Sequence, residues 1–127
     1  MTKALIADSS IYWIHELSQL LGFEGVEVIA HFTQGKRWAD VLRHQQPDFV
    51  FFDDQLYPEN GLQTLEAYLE EFDFSGKFVF THDFQGLDAN LLEQSAMKTG
   101  ADFCLPKPYR RQSLKRILQV SAKLARG

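Results

Sequence analysis

The sequence predicts an α/β fold: a doubly wound sheet of five parallel strands with five helices shared between its two faces. Three observations predict it. Short apolar runs alternate with helix-period segments five times along the 127 residues. The third run is apolar at every position, as in a strand covered on both faces. No long linker or low-complexity stretch interrupts the alternation, so right-handed crossovers can join the strands.

The first strand is Lys3 to Ala7, closed by Asp8, Ser9 and Ser10, residue types that start helices. A helix follows from Ile11 to Leu21, with Ile14, Leu17 and Leu21 on one stripe and Trp13 and Leu20 widening it, and Gly25 lies past its end. Val26 to Phe32 is the second strand; after a turn at Gly35, Trp38, Val41 and Leu42 recur at helical spacing. Asp48 to Phe52 is the third strand, stopping at Asp53 and Asp54, and a breaker-rich turn through Gly61 leads to the helix of Leu62, Leu65, Tyr68 and Leu69. Phe78 to Phe80 is the fourth strand and Leu87 to Met97 a helix of weaker periodicity. Gly100 leads into Ala101 to Leu105, ended by Pro106, Lys107 and Pro108, and Leu114, Ile117, Leu118 and Leu124 mark the last helix.

Composition narrows the classes. Hydrophobic residues are 45% and charged residues 24% of the chain, the range of a packed globular fold rather than a disordered one. One domain over residues 1–127 is expected. No segment has the length of a membrane span or the pattern of a signal peptide, which points to the cytoplasm. Cys104 is the lone cysteine; it excludes an internal disulfide and a cysteine zinc cluster, and reads best as a small buried hydrophobe. The net charge is −4, yet from Lys107 onward Arg110, Arg111, Lys115, Arg116, Lys123 and Arg126 meet no acid. Cations toward the end of a helix complement its dipole, so this stretch reads first as a solvated helix and second as a surface for an acidic partner or for nucleic acid.

In a sheet of this kind ligands bind beyond the carboxyl ends of the strands, where the strand order reverses. Asp8, Asp53 with Asp54, Thr81 with His82, and Lys107 all fall at such ends. Singly, each reads as a cap, a turn former or a solvated charge. Together they supply a carboxylate nucleophile, oxygen ligands for a divalent cation, and a hydroxyl and an ammonium to neutralise phosphoryl oxygens.

The segments ALIADSS, PDFVFFD with Gly61 eight positions after Asp53, FVFT, and GADFCLPKP resemble the receiver domains of bacterial response regulators, over almost the whole chain. The resemblance implies a flavodoxin-like sheet of order 2-1-3-4-5. It implies Asp53 as phosphoryl acceptor and Mg2+ as cofactor, with Asp8, Asp53 and the backbone carbonyl of Gln55 as metal-site groups. Thr81 corresponds to the switch hydroxyl and Lys107 to the phosphate-pairing lysine, aimed by a cis bond to Pro108. It implies two-component phosphorelay signalling with a histidine kinase or phosphotransfer protein as partner. The chain is then a phosphoryl acceptor rather than an enzyme, at most catalysing its own phosphotransfer and dephosphorylation. A homodimer or output contact through the last strand and helix is plausible from charge, with no membrane and no direct nucleic-acid contact.

Four positions depart from the family pattern. Ser9 stands where a second, metal-ligating acid is usual. A unit charge about 4 Å from another is worth roughly 4 kcal/mol at an effective dielectric of about 20, so its loss weakens magnesium by about a hundredfold or more. Asp54 is a poor substitute because adjacent strand residues face opposite ways. His82 replaces a small residue and is expected to crowd the entrance, or otherwise to pack, ligate phosphate or gate with pH. Cys104 replaces the aromatic that usually reports activation, and Tyr57 the proline usually found after the acceptor. A binding module with the same fold that works without phosphorylation is the rival reading. A flavin or nucleotide enzyme is disfavoured because SSIYW is a thin phosphate loop.

Overall fold

A computed structural model describes residues 1–34 and 38–126, without the side chains of Ala39 and of residues 121–126. The turn expected at Gly35, and the side chains of Lys123, Leu124 and Arg126, lie outside the described residues.

The strands are β1 (Lys3–Ala7), β2 (Glu27–Phe32), β3 (Phe49–Asp53), β4 (Lys77–His82) and β5 (Phe103–Pro106). They alternate with α1 (Ile11–Phe23), α2 (Ala39–Gln45), α3 (Gly61–Glu71), α4 (Gly86–Thr99) and α5 (Arg111–Arg126). The sheet is parallel throughout, in the order β2-β1-β3-β4-β5, as expected. Strand alternation divides the core in two. Leu5, Ala7, Val50, Phe52, Phe78 and Phe80 face Trp38, Leu42, Leu65, Tyr68 and Ala96 from α2, α3 and α4 and the approach to α2. Ala4, Ile6, Phe49, Phe51, Val79 and Leu105 face Ile14, Leu17, Leu21, Leu114 and Ile117 from α1 and α5. Both faces are therefore covered, which is why β3 is apolar at consecutive positions.

Boundaries shift where polar residues are held inside the sheet. β4 continues past Phe80 because Asp53 pairs with Thr81 and His82 with Pro106 along the ladders. Trp38 is the cap residue of α2 rather than part of it, although its side chain is fully buried. α4 buries only Ala96 and leaves Leu87, Leu91 and Met97 exposed, which accounts for its weak periodicity.

Helix starts set the geometry of the strand-end rim. Ser10 caps α1, its hydroxyl oxygen accepting from Trp13 N–H at 3.4 Å. Asn60 and Gln63 form a reciprocal capping box at α3. Gly61, first in α3, sits so close to β3 that a Cβ there would lie 2.5 Å from the Asp53 carbonyl oxygen. Gly61→Ala therefore has to push α3 off the end of β3, and is expected to cost about 1 to 3 kcal/mol, read as a lowered urea midpoint with an unchanged slope.

Candidate functional site

Because β1 and β3 are neighbours and their following helices leave on opposite faces, Asp8 and Asp53 meet at the switch point of the sheet. Both are 2% exposed, and Lys107, just after β5, is 7% exposed. The Lys107 ammonium lies 2.8 Å from Asp8 Oδ2 and 2.8 Å from Asp53 Oδ1. The Thr81 hydroxyl donates to Asp53 Oδ1 at 3.0 Å, and the Gln55 N–H donates to Asp53 Oδ2 at 3.0 Å. The Ser10 N–H donates to Asp8 Oδ1 at 2.9 Å. Asp8 Oδ2 is buried and meets the Lys107 ammonium at 2.8 Å, a close ion pair inside the pocket. Burial, and then the Asp53 charge, push the Asp8 carboxyl above its usual range against the opposing pull of Lys107.

Of the strand-end residues expected to converge, Asp8, Asp53, Thr81 and Lys107 come into contact, joined by Gln55, which the resemblance implied. The Lys107–Pro108 peptide is cis, as expected. The donor set suits a hard, oxygen-seeking cation: two buried carboxylates side by side, next to the Gln55 backbone, with a lysine ammonium now bridging them. It is a sparse set. Ser9 is exposed, and among the described residues no three His, Cys, Asp or Glu side chains gather to hold a metal. Asp54 does not fill the gap; its Oδ2 accepts from the Gln55 side-chain amide at 2.9 Å, and burial pushes its carboxyl up.

His82 corrects an expectation. Its ring does not crowd the acceptor but turns to the opposite face of the sheet, stacked on Phe80 at 6.0 Å. The Phe84 N–H donates to Nδ1 at 3.1 Å, which leaves the proton on Nε2 to donate to Glu93 Oε2 of α4 at 2.6 Å. Neither nitrogen is left for a phosphate. Cys104 also faces α4, its thiol 3.9 Å from the Glu93 carbonyl oxygen and pushed up to about 12 by burial, which agrees with a packed, unreactive sulfur. Tyr57 is exposed, and its peptide bond to Pro58 is cis.

Two aromatics of the site were not singled out by the sequence. The Lys107 ammonium lies 5.3 Å from the centroid of the Trp13 ring. Tyr109, half-buried two residues after Lys107, meets Trp13 edge to face at 5.5 Å. Burial pushes the Tyr109 phenol up, against a hydrogen-bonding contact with the Thr81 side chain. The basic stretch is partly committed within the chain as well: Lys107 is in the site, and Arg111 Nε donates to Glu24 Oε2 at 2.9 Å.

The family model described as the response regulator receiver domain matches residues 4–119. Solved structures agree in fold at low identity. The signal receiver domain of the putative response regulator NarL from Mycobacterium tuberculosis is 16% identical, with 95% of this chain and 96% of that one covered and a TM-score of 0.81. A CheY-like response regulator receiver domain protein from Methanospirillum hungatei is 20% identical, covering 99% and 98%, with a TM-score of 0.79. A chain of the CheX-CheY-BeF3-Mg2+ complex from Borrelia burgdorferi is 22% identical, covering 94% and 88%, with a TM-score of 0.80. No curated protein matches the sequence.

Proposed function

The chain belongs to the response regulator receiver domain family, and on that premise we propose that Asp53 accepts a phosphoryl group from a histidine kinase or phosphotransfer protein, in a pocket whose hold on Mg2+ is weakened by Ser9. Phosphorylation-based signalling is the general work of this family. The observation that carries the assignment to Asp53 is its surroundings: a buried carboxylate that receives one hydroxyl and one ammonium, both able to move onto phosphoryl oxygens.

In the transfer, a carboxylate oxygen of Asp53 bonds to phosphorus while the bond from phosphorus to the donor histidine nitrogen breaks, its electron pair leaving on the imidazole. Lys107 exchanges an aspartate contact for a phosphoryl oxygen, and Thr81 turns its hydroxyl from Asp53 Oδ1 toward another. Asp8, Asp53 and the Gln55 backbone carbonyl would hold Mg2+, which when bound neutralises phosphoryl charge. The acyl phosphate adds charge at the end of β3 that biases the contacts of α4 and α5.

One observation favours the second reading, a receiver-fold binding module independent of phosphorylation: the pocket has two clustered acids and an exposed serine where a third is usual. Incubation with magnesium and acetyl phosphate, followed by intact mass measurement, separates the two. Gain of one phosphoryl group supports the acceptor; no gain in wild type at saturating magnesium supports the module. Ser9→Asp is expected to tighten Mg2+ about ten- to a hundredfold, the lower end reflecting screening at an exposed position. Magnesium titration of tryptophan fluorescence measures it, and an unchanged affinity would remove Ser9 as the cause.

A further inference from the structure

We propose that Trp13 is a positioning residue for Lys107, its ring face holding the ammonium at the Asp8–Asp53 cleft without competing for the hydrogen bonds that a phosphoryl group will need. The inference rests on Asp53 being the acceptor and deepens that reading, by naming what keeps the pairing cation in place.

An ammonium has three donors and is strongly hydrated, so a lysine among acids is held either by further acceptors or by a surface that excludes water. Lys107 has two carboxylate oxygens at 2.8 Å. The Trp13 ring, 5.3 Å away at its centroid, covers a further side within cation–π range. A ring face attracts a cation yet accepts no directed hydrogen bond, so Lys107 remains able to redirect an N–H onto phosphate. An acid or amide at this position would hold that N–H instead.

Trp13 is itself fixed from three directions. Its backbone N–H is tied to the capping hydroxyl of Ser10, which anchors the first turn of α1, and its ring is packed edge to face by Tyr12 at 5.0 Å and by Tyr109 at 5.5 Å. Tyr109 follows Lys107 by two residues, so the loop that carries the ammonium and the ring that faces it are locked together. The arrangement lies on the α1 and α5 side of the sheet, opposite Cys104, whose sulfur packs toward α4.

The test compares wild type, Trp13→Leu and Trp13→Phe in two measurements. In the first, Asp53 is labelled with acetyl phosphate and magnesium. Loss of the ring face is expected to slow labelling about two- to thirtyfold in Trp13→Leu, whereas Trp13→Phe stays within about threefold of wild type. Urea midpoints are measured alongside: a merely structural role would slow both variants in proportion to lost stability. In the second, the Lys107 side-chain methylene protons are followed by NMR, where a ring face above them gives an upfield shift. That shift should be present in wild type, kept in Trp13→Phe and lost in Trp13→Leu. Equal labelling of the two variants, or no upfield shift in wild type, overturns the inference. If wild type takes no phosphoryl group, the acceptor reading fails by itself, and the NMR shift still decides whether Trp13 holds Lys107.

Discussion

Asp53→Asn is expected to reduce phosphoryl labelling by acetyl phosphate more than about a thousandfold, the scale on which removal of a nucleophile acts. The amide oxygen can still accept from the Thr81 hydroxyl, which now sits 3.0 Å from Oδ1, while the Gln55 N–H that donates to Oδ2 loses its acceptor; the β3 ladder itself is untouched. What is lost is the negative charge and the oxygen lone pairs that form the bond to phosphorus. Far-UV circular dichroism should match wild type, and the unfolding free energy from urea should change by no more than about 1 kcal/mol, because Lys107 keeps Asp8 as its partner and the relieved Asp8–Asp53 repulsion offsets the lost pair. Asp54→Asn is the paired control: its carboxylate is bonded to the Gln55 amide and does not share Lys107, so labelling should stay near the wild-type rate. Label retained in Asp53→Asn would move the acceptor to another acid and sink the assignment.

How much of this could be read from the sequence differs between the sheet and the site. The five strands were legible because burial on both faces leaves continuous apolar runs such as Phe49 to Phe52, and the helix order followed from the 3.6-residue period. The full length of β4 was less plain, since only Phe78 to Phe80 is apolar, and the pairings that carry Thr81 and His82 in the sheet lie on the ladders to Asp53 and Pro106. Asp8, Asp53, Thr81 and Lys107 were legible as a group because each follows or ends a strand, and parallel strand ends converge. The direction of His82 could have been found: if Thr81 faces Asp53, strand alternation sends the next side chain to the other face. Its partner Glu93 could not, because a polar residue on a helix carries no mark of what it will meet. Trp13 was hidden for a similar reason. An aromatic at helical spacing reads as core, and only the placement of Lys107 shows which face of the ring a cation reaches.

The buried triangle of Asp8, Asp53 and Lys107 sets the second large effect. Lys107→Met should lower stability by about 3 kcal/mol in metal-free buffer, since it leaves two carboxylates without their cation in a pocket that excludes water. The Asp8 carboxyl is already disfavoured in its charged form by burial and by Asp53, and Lys107 is among the few groups that oppose this. Removing the lysine leaves mainly the Ser10 N–H on its side. The double variant Lys107→Met, Asp8→Asn should therefore lose less than the sum of the single variants, with a coupling of about 1 to 2 kcal/mol, because the second change removes one of the stranded charges. The sign with pH follows from the same balance. A carboxyl whose folded pKa is above its unfolded value costs stability at higher pH, and that cost disappears as the pH falls through the folded value toward the ordinary one near 3.8. The deficit of Lys107→Met relative to wild type should then shrink on acidification from neutrality, measured by urea unfolding with a chelator present. An equal deficit at every pH, together with simple additivity in the double variant, would mean that Lys107 stabilises the fold through its methylene packing rather than through its charge.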